Sequence, residues 1–432
     1  MNQNRSMELY SKYKKVTPGG VQSNFRFDLP NPLYFSSGNG PFVLDLDGNR
    51  YVDLIVGNGS VILGHNDPQV SAMVKETIDT GLLSGYETQL NYDVALMLHQ
   101  MVPSAKMVRF ANSGTEAVMH AVQMVRSFTG KSRIMKFEGG YHGWYDYVAY
   151  SHSPPVSPGM GRGNIVSPDF DGLSPQSSNE VSVVRYNDKD STLETLKSLK
   201  NDLAAVIIEP VAFNMGCVLP KPEFLPMLRE ETEKYNIPLI FDEVITGFRI
   251  SPGGAQKHFG VSPDLTVLGK AIANGYSLSA VVGREDIMDV TTPGKKSTYA
   301  GTYNGNQINV AAAKATLSKL KDGNVQEYLS EKTSYLKKVV EETAQDLGIK
   351  ARFNGIGGQF QIYFTGGEVI DYVSASTSNK NSYSKFREHL KTNGVLLHPS
   401  YLFHHGITYS HGNEVIEKLA GDITKGMKAV AT

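Results

Sequence analysis

Cysteine and tryptophan are almost missing from this chain, with one of each among its 432 residues. A lone cysteine, Cys217, excludes an intrachain disulfide and fits a reducing compartment. Set in an apolar stretch, it reads as a buried, inert thiol and not as a nucleophile. Neither sign of charge is in excess: 42 Lys and Arg face 43 Asp and Glu, a formal net charge of -1. That removes any electrostatic case for nucleic acid or an anionic membrane as partner. No apolar run approaches the roughly 18 residues of a membrane span, and the polar opening Met1 to Glu8 lacks the apolar region of a secretory signal. The expectation is a soluble, cytoplasmic protein with no membrane partner, and no metal site is read. Repeats and low-complexity linkers are absent too. The 42 Gly and 20 Pro are spread along the chain, and 40% hydrophobic residues suffice for a large core in one continuous body.

Periodicity supplies the organisation. Residues 5–16 read as an opening helix, and 41–54 as a hairpin in which apolar residues alternate on either side of an Asp47-Gly48-Asn49 turn. From about 66 to 300, short apolar strands alternate with helical stretches. The strands expected are Met107 to Ala111, Arg133 to Phe137, Ala204 to Glu209, Leu239 to Asp242 and Leu265 to Leu268. This alternation calls for an α/β fold with a largely parallel sheet between helices. From about 306, helices and then a few strands suggest a smaller α+β unit, with Gly355 to Phe364 turning into one strand. Ser151 to Asn179 has no usable period; an irregular stretch of that length reads as an active-site lid.

Two strand ends carry the chemistry. The run Pro238 to Phe241 stops at Asp242, and the run Leu265 to Leu268 stops at Gly269-Lys270. Parallel sheets bind ligands at the carboxyl ends of their strands. A buried acid and amine there suit pyridoxal phosphate: Lys270 would hold the cofactor aldehyde as a Schiff base, and Asp242 would keep the pyridine nitrogen protonated. An arginine elsewhere in the fold would also satisfy Asp242. Asn112-Ser113-Gly114-Thr115 opens a helix after another strand, so Ser113, Gly114 and Thr115 are either a phosphate cradle or an ordinary cap. Gly140-Tyr141-His142-Gly143 follows the next strand, where Tyr141 could stack on a flat ring or simply pack in a tight turn. Glu209 and Asn214 end a fourth strand and could bond the cofactor or satisfy local backbone groups.

Together these residues resemble the class III aminotransferases of PLP fold type I, in the branch of glutamate-1-semialdehyde 2,1-aminomutase and the β-amino acid aminotransferases. The resemblance runs from about residue 8 to about 430. Its most specific parts are Pro18-Gly19-Gly20-Val21, Asn112 to Ala117, Phe137 to Gly143, Phe241 to Val244 with Gly247-Phe248-Arg249, and Pro263 to Lys270. It implies a large cofactor-binding domain over residues 61–305, a small domain at 306–432, and an N-terminal segment, 1–60, that joins the small domain and covers the site. It further implies that Lys270, Asp242 and Tyr141 are catalytic and that Val244 and Tyr141 sandwich the ring. Ser113, Gly114, Thr115, His142, Glu209 and Asn214 would complete the cofactor's contacts. Gly301 and Thr302 would reach the phosphate of a neighbouring subunit, which implies a homodimer with shared sites. Arg26 would hold a substrate carboxylate with its guanidinium fork.

The chain departs from the aminomutases on the substrate side. Asn58 stands where they carry a tryptophan, and Pro399 to Gly406, with Tyr401, His404 and His405, replaces their Phe-Glu-Ala-Gly turn. Tyr86, Trp144, Tyr401 and Phe403 are candidate pocket walls. The reading that follows is a two-half-reaction aminotransferase acting on carboxylate-bearing amino acids, with β-amino acids of apolar side chain favoured and a keto acid as acceptor. The alternative is glutamate-1-semialdehyde 2,1-aminomutase forming 5-aminolevulinate. Carrier-protein-bound substrates, used by some relatives, stay open, as does a non-catalytic protein of the same fold.

Overall fold

The computed structural model describes residues 4–30, 32–83, 85–155 and 166–431. Its centre is a seven-stranded sheet in the order Met107–Ala111, Ser279–Gly283, Leu265–Leu268, Leu239–Glu243, Leu203–Ile208, Arg133–Phe137, Val181–Val184. Only Ser279–Gly283 runs against its neighbours, so six strands end on the same edge. Alternation along each strand serves two cores. Ile240 packs with Ala117 and Ala121 of helix Gly114–Thr129, whereas Leu239 and Phe241 pack on the other face with Phe224 and Leu228. Both faces being covered is why these strands read as continuous apolar runs.

All five expected strands are present, displaced by one residue at most. Two further strands were not foreseen. Val181–Val184 is only four residues long and follows irregular chain. Ser279–Gly283 returns antiparallel directly after the Lys270 turn, so no crossover helix announces it. The opening helix is Asn4–Tyr13, and the 41–54 hairpin is formed by Phe42–Asp45 and Arg50–Asp53. Val395–Leu396 adds to that hairpin in parallel, which unites N- and C-terminal segments in one small sheet. Of the stretch expected as a lid, residues 156–165 lie outside the described residues. The stems around it are pinned by an antiparallel bridge between Tyr150 and Pro168. Among the described residues, no helix is long and apolar enough to cross a membrane.

Two buried polar groups fix the chain beside the strand ends. Val56 to Gly59 make a left-handed turn, with φ of 43°, 61°, 54° and 85°. That conformation is unfavourable for a β-branched residue such as Val56. The fully buried Arg249 holds the turn by donating Nη2 to the carbonyls of Gly59 at 2.7 Å and Val61 at 3.2 Å. Next to it, Asn274 Oδ1 accepts from the amides of Ile62 and Leu63, each at 2.9 Å, and its Nδ2 donates to Gly64 O at 3.0 Å. Asn274 thereby ties the turn that follows Lys270 to residues 62–64. Asn274→Ala would leave two buried amides without acceptors, and a destabilisation of about 3 kcal/mol is expected. The urea midpoint measured by circular dichroism checks this, an unchanged midpoint contradicting it.

Candidate active site

A cavity of about 270 Å³ opens on the edge where the strands end. Ser113, Gly114, Thr115, Tyr141, His142, Glu209, Asn214, Asp242, Val244 and Lys270 all line it. Every cofactor residue expected from sequence is therefore brought together except Gly301 and Thr302. Those two line a separate surface cavity with Tyr86, Tyr92 and Tyr299.

Asp242 is the electrostatic centre. Its side chain sits at a buried strand end, 5% exposed, and Oδ1 accepts from the Val244 amide at 3.1 Å. Oδ2 lies 2.7 Å from His142 Nδ1. Burial pushes the imidazole's pKa down, outweighing the pull of Asp242, so the ring is neutral and Nδ1–H donates. Among the described residues, no cation is hydrogen-bonded to this carboxylate. No arginine among the described residues takes the role left open for one; the nearby Arg249 donates Nη2 to backbone carbonyls. A buried carboxylate with a neutral brace and an open face suits a protonated ring nitrogen.

Lys270 follows the next strand in a left-handed conformation, φ 46°, a strained backbone of the kind concentrated at functional sites. Enclosure pushes its ammonium down to about 8, although Glu209 and Asp242 pull the other way. Its amine is thus readily freed as nucleophile or base. Glu209 is pushed up to about 7 by burial and by Asp242. It accepts from the Tyr141 amide at 2.8 Å, Asn214 Nδ2 at 2.9 Å and the Phe213 amide at 3.1 Å. The local backbone role weighed for Glu209 is therefore realised, and it works by holding two pocket residues.

Helix Gly114–Thr129 points its N-terminus into the cavity. Ser113 caps it, Oγ accepting from the Glu116 amide at 3.2 Å, so the capping role exists together with a free helix end suited to an anion. Space is tight: a Cβ on Gly143 would stand 2.4 Å from Thr115 Oγ1, and one on Gly114 would stand 3.2 Å from Val244 Cγ2. These glycines let Thr115 and Val244 pack close against the backbone beside the cavity. The donor set fits a planar, phosphorylated cofactor with a basic ring nitrogen.

The substrate side departs from expectation. Arg26 does not face this cavity; it lines another with Tyr10, Tyr13 and Gln22. The preceding residue, Phe25, does not line it either but meets Tyr141 edge-on at 5.6 Å, because a short 3-10 turn at Asn24–Arg26 sends adjacent side chains in different directions. Phe25 also touches Phe403 at 6.0 Å and His152 at 6.4 Å, and His404 stacks on Phe403 at 4.5 Å. Burial lowers His152 to about 4 and takes His404 well below its ordinary value. This cluster, which meets the cavity through Tyr141 and does not itself line it, is thus aromatic and uncharged. Asn58 lies on the left-handed turn, and His404 Nε2 would meet a Cβ on the adjacent Gly59 at 3.2 Å. Tyr401 packs against the core with its carbonyl accepting from Gln361. Trp144 is 67% exposed and Tyr86 72%, so neither walls this cavity. Ser60, Ile245, Thr246 and Tyr276 to Leu278 line it without having been singled out. Ile245 and Thr246 sat within the strand-end motif, but nothing in the sequence marked Ser60.

The sequence model of the class-III aminotransferases matches residues 28–401. The chain is 40% identical over 421 residues to the glutamate-1-semialdehyde 2,1-aminomutase of Thermodesulfovibrio yellowstonii, covering 97% of each. An omega-transaminase from Sphaerobacter thermophilus has a similar structure, with a TM-score of 0.94, 31% identity, and 99% of this chain and 98% of that one covered. A beta-phenylalanine aminotransferase from Variovorax paradoxus gives 0.88 and 27%, covering 98% and 93%.

A lysine whose amine is free at near-neutral pH outcompetes surface lysines for amine reagents. In protein without cofactor, Lys270 should be the most rapidly labelled lysine at about pH 8, its rate rising through a midpoint near that value as the proton leaves. Peptide mass spectrometry checks this, and a midpoint near the ordinary lysine value would contradict it.

Proposed function

Because the chain belongs to the class III aminotransferases, enzymes that depend on pyridoxal phosphate, we propose that it transfers an amino group on a small carboxylate-bearing amino compound. The observation that carries this is the convergence of Asp242, Lys270 and the Ser113–Thr115 helix start on one cavity. When bound, the cofactor supplies an aldehyde that bonds to amines and a ring that accepts electrons from the carbon next to the nitrogen. Lys270 anchors it through its amine and moves a proton on and off the substrate carbon. Asp242, braced by His142, holds the proton on the ring nitrogen. The amides and hydroxyls of Ser113 to Thr115 take the phosphate, Tyr141 and Val244 lie on the two ring faces, and Glu209 positions Tyr141 and Asn214. Gly301 and Thr302 serve the phosphate of a second copy. The exposed Tyr86 and Tyr92 that line their cavity support such a homodimer. Arg26 is left out of the proposed contacts because it faces another cavity.

Isomerisation of glutamate 1-semialdehyde has the stronger support from relatives, the chain being 40% identical to the Thermodesulfovibrio yellowstonii aminomutase. Transamination of a β-amino acid with an apolar side chain is the second reading. The uncharged aromatic cluster of Phe25, His152, Phe403 and His404 against Tyr141 favours it. Incubating the purified holoenzyme with glutamate 1-semialdehyde and no amino donor separates them. Formation of 5-aminolevulinate supports the first; its absence, with amino transfer from a β-amino acid to a keto acid, supports the second. A protein that carries cofactor yet transfers nothing across a donor and acceptor panel would overturn both.

Lys270→Ala should still bind the cofactor through phosphate and ring contacts, yet lose turnover by roughly three orders of magnitude or more. Near-normal turnover would refute the assignment. Under the second reading, Phe25→Ala should lower kcat/KM for an aryl-bearing β-amino acid by roughly tenfold relative to a small one. An equal loss for both substrates would remove Phe25 from specificity.

A further inference from the structure

Lys136 lies in the middle of the strand Arg133–Phe137, between Met135 and Phe137, and is 0% exposed. A lysine there is costly unless its charge is satisfied. Its ammonium has three donors, and all three are used on backbone carbonyls: Gly140 O at 2.9 Å, Val148 O at 3.0 Å and Tyr150 O. No carboxylate is hydrogen-bonded to it among the described residues. The three acceptors bracket a segment, 140–149, with neither helix nor strand to satisfy its backbone, and that segment carries Tyr141 and His142.

One peptide unit in it is held from both ends. The carbonyl of Gly140 is taken by the Lys136 ammonium, and the N–H of the same peptide, belonging to Tyr141, is taken by the Glu209 carboxylate at 2.8 Å. Buried opposite charges on either side of an amide polarise it and strengthen both bonds. Rotation of this peptide would swing the Tyr141 ring, and the clamp opposes that rotation.

We infer that Lys136 is a positioning residue: with Glu209 it clamps the Gly140–Tyr141 peptide and gathers the 140–150 segment, setting Tyr141 over the cofactor and His142 behind Asp242. This rests on the proposed function only for its catalytic consequence; the clamp itself is a property of the cofactor-free chain. The titratable groups around Lys136 are Asp169 and Glu209, which favour its charge, and His142 and His152, which it disfavours in charged form. Burial outweighs the two acids and brings Lys136 down to about 8. Below that value the ammonium bonds all three carbonyls. Above it, the neutral amine has two N–H donors and a lone pair facing the third carbonyl, so the segment loosens as pH rises.

The chain's single tryptophan, Trp144, sits on this segment and reports on it. Cofactor-free wild type should show a change in Trp144 emission and anisotropy centred near pH 8, persisting in Lys270→Ala and lost in Lys136→Met. With pyridoxal phosphate added, Lys136→Met should bind it roughly tenfold more weakly and turn over roughly tenfold more slowly, about the value of one aromatic contact. Unchanged Trp144 signals and unchanged cofactor affinity in a folded Lys136→Met would overturn the inference. Should that variant not fold, hydrogen exchange in the wild type decides: amides of 140–150 must lose protection between about pH 7 and 9 beyond the intrinsic dependence. Retained protection overturns the inference as well. A wild type that binds no pyridoxal phosphate would sink the functional reading and leave the Trp144 test standing.

Discussion

A carboxylate at the end of a buried strand, with no cation hydrogen-bonded to it among the described residues, is the constraint on which the rest of this site depends. Asp242 is tolerable there because a neutral imidazole and a backbone amide each donate to it, while its remaining face stays open. That requires His142 to reach across from a strand end 100 residues earlier in the chain. It requires also that the two strands stand close in one sheet, which the parallel order of Leu203–Ile208 between Arg133–Phe137 and Leu239–Glu243 provides. An arginine at Asp242 would have completed the charge and closed the site to a cationic ring.

Positive charge is used elsewhere, and unusually. Lys136 and Arg249 are fully buried; Lys136 spends all three donors, and Arg249 its Nη2, on carbonyls of irregular loops: the Tyr141 segment and the turn through Gly59. Irregular backbone beside a cavity leaves acceptors without partners, and a buried cation can satisfy several at once. The two loops that border the cofactor cavity are thereby held without a regular ladder. The same fields disfavour further cations nearby, and Arg249 contributes to lowering the Lys270 ammonium.

The central strands were legible because each is buried on both faces and so forms a continuous apolar run; the two that were missed are short or unannounced by a helix. Asp242, Lys270, Tyr141 and Ser113 to Thr115 were legible because each stands where such a run stops, and parallel strands stop on one edge. Substrate-side residues were not. Whether Phe25 or Arg26 meets Tyr141 is a matter of one residue's phase in a short turn, and sequence patterns carry no such resolution there. Lys136 was passed over because a lysine inside an apolar strand resembles an edge residue until its three acceptors are seen.

By itself the sequence determined the class of fold, the order of the central strands along the chain and the residue types offered at their ends, since these follow from local periodicity and from where apolar runs break. Only the tertiary structure decided that His142 is the brace of Asp242, that Phe25 and not Arg26 lies against Tyr141, that Thr302 stands apart from its own chain's cavity, and that Lys136 and Glu209 grip one peptide. The reason is common to all four: each depends on the meeting of segments that no local pattern relates, and on side-chain direction at positions where the backbone is neither helix nor strand.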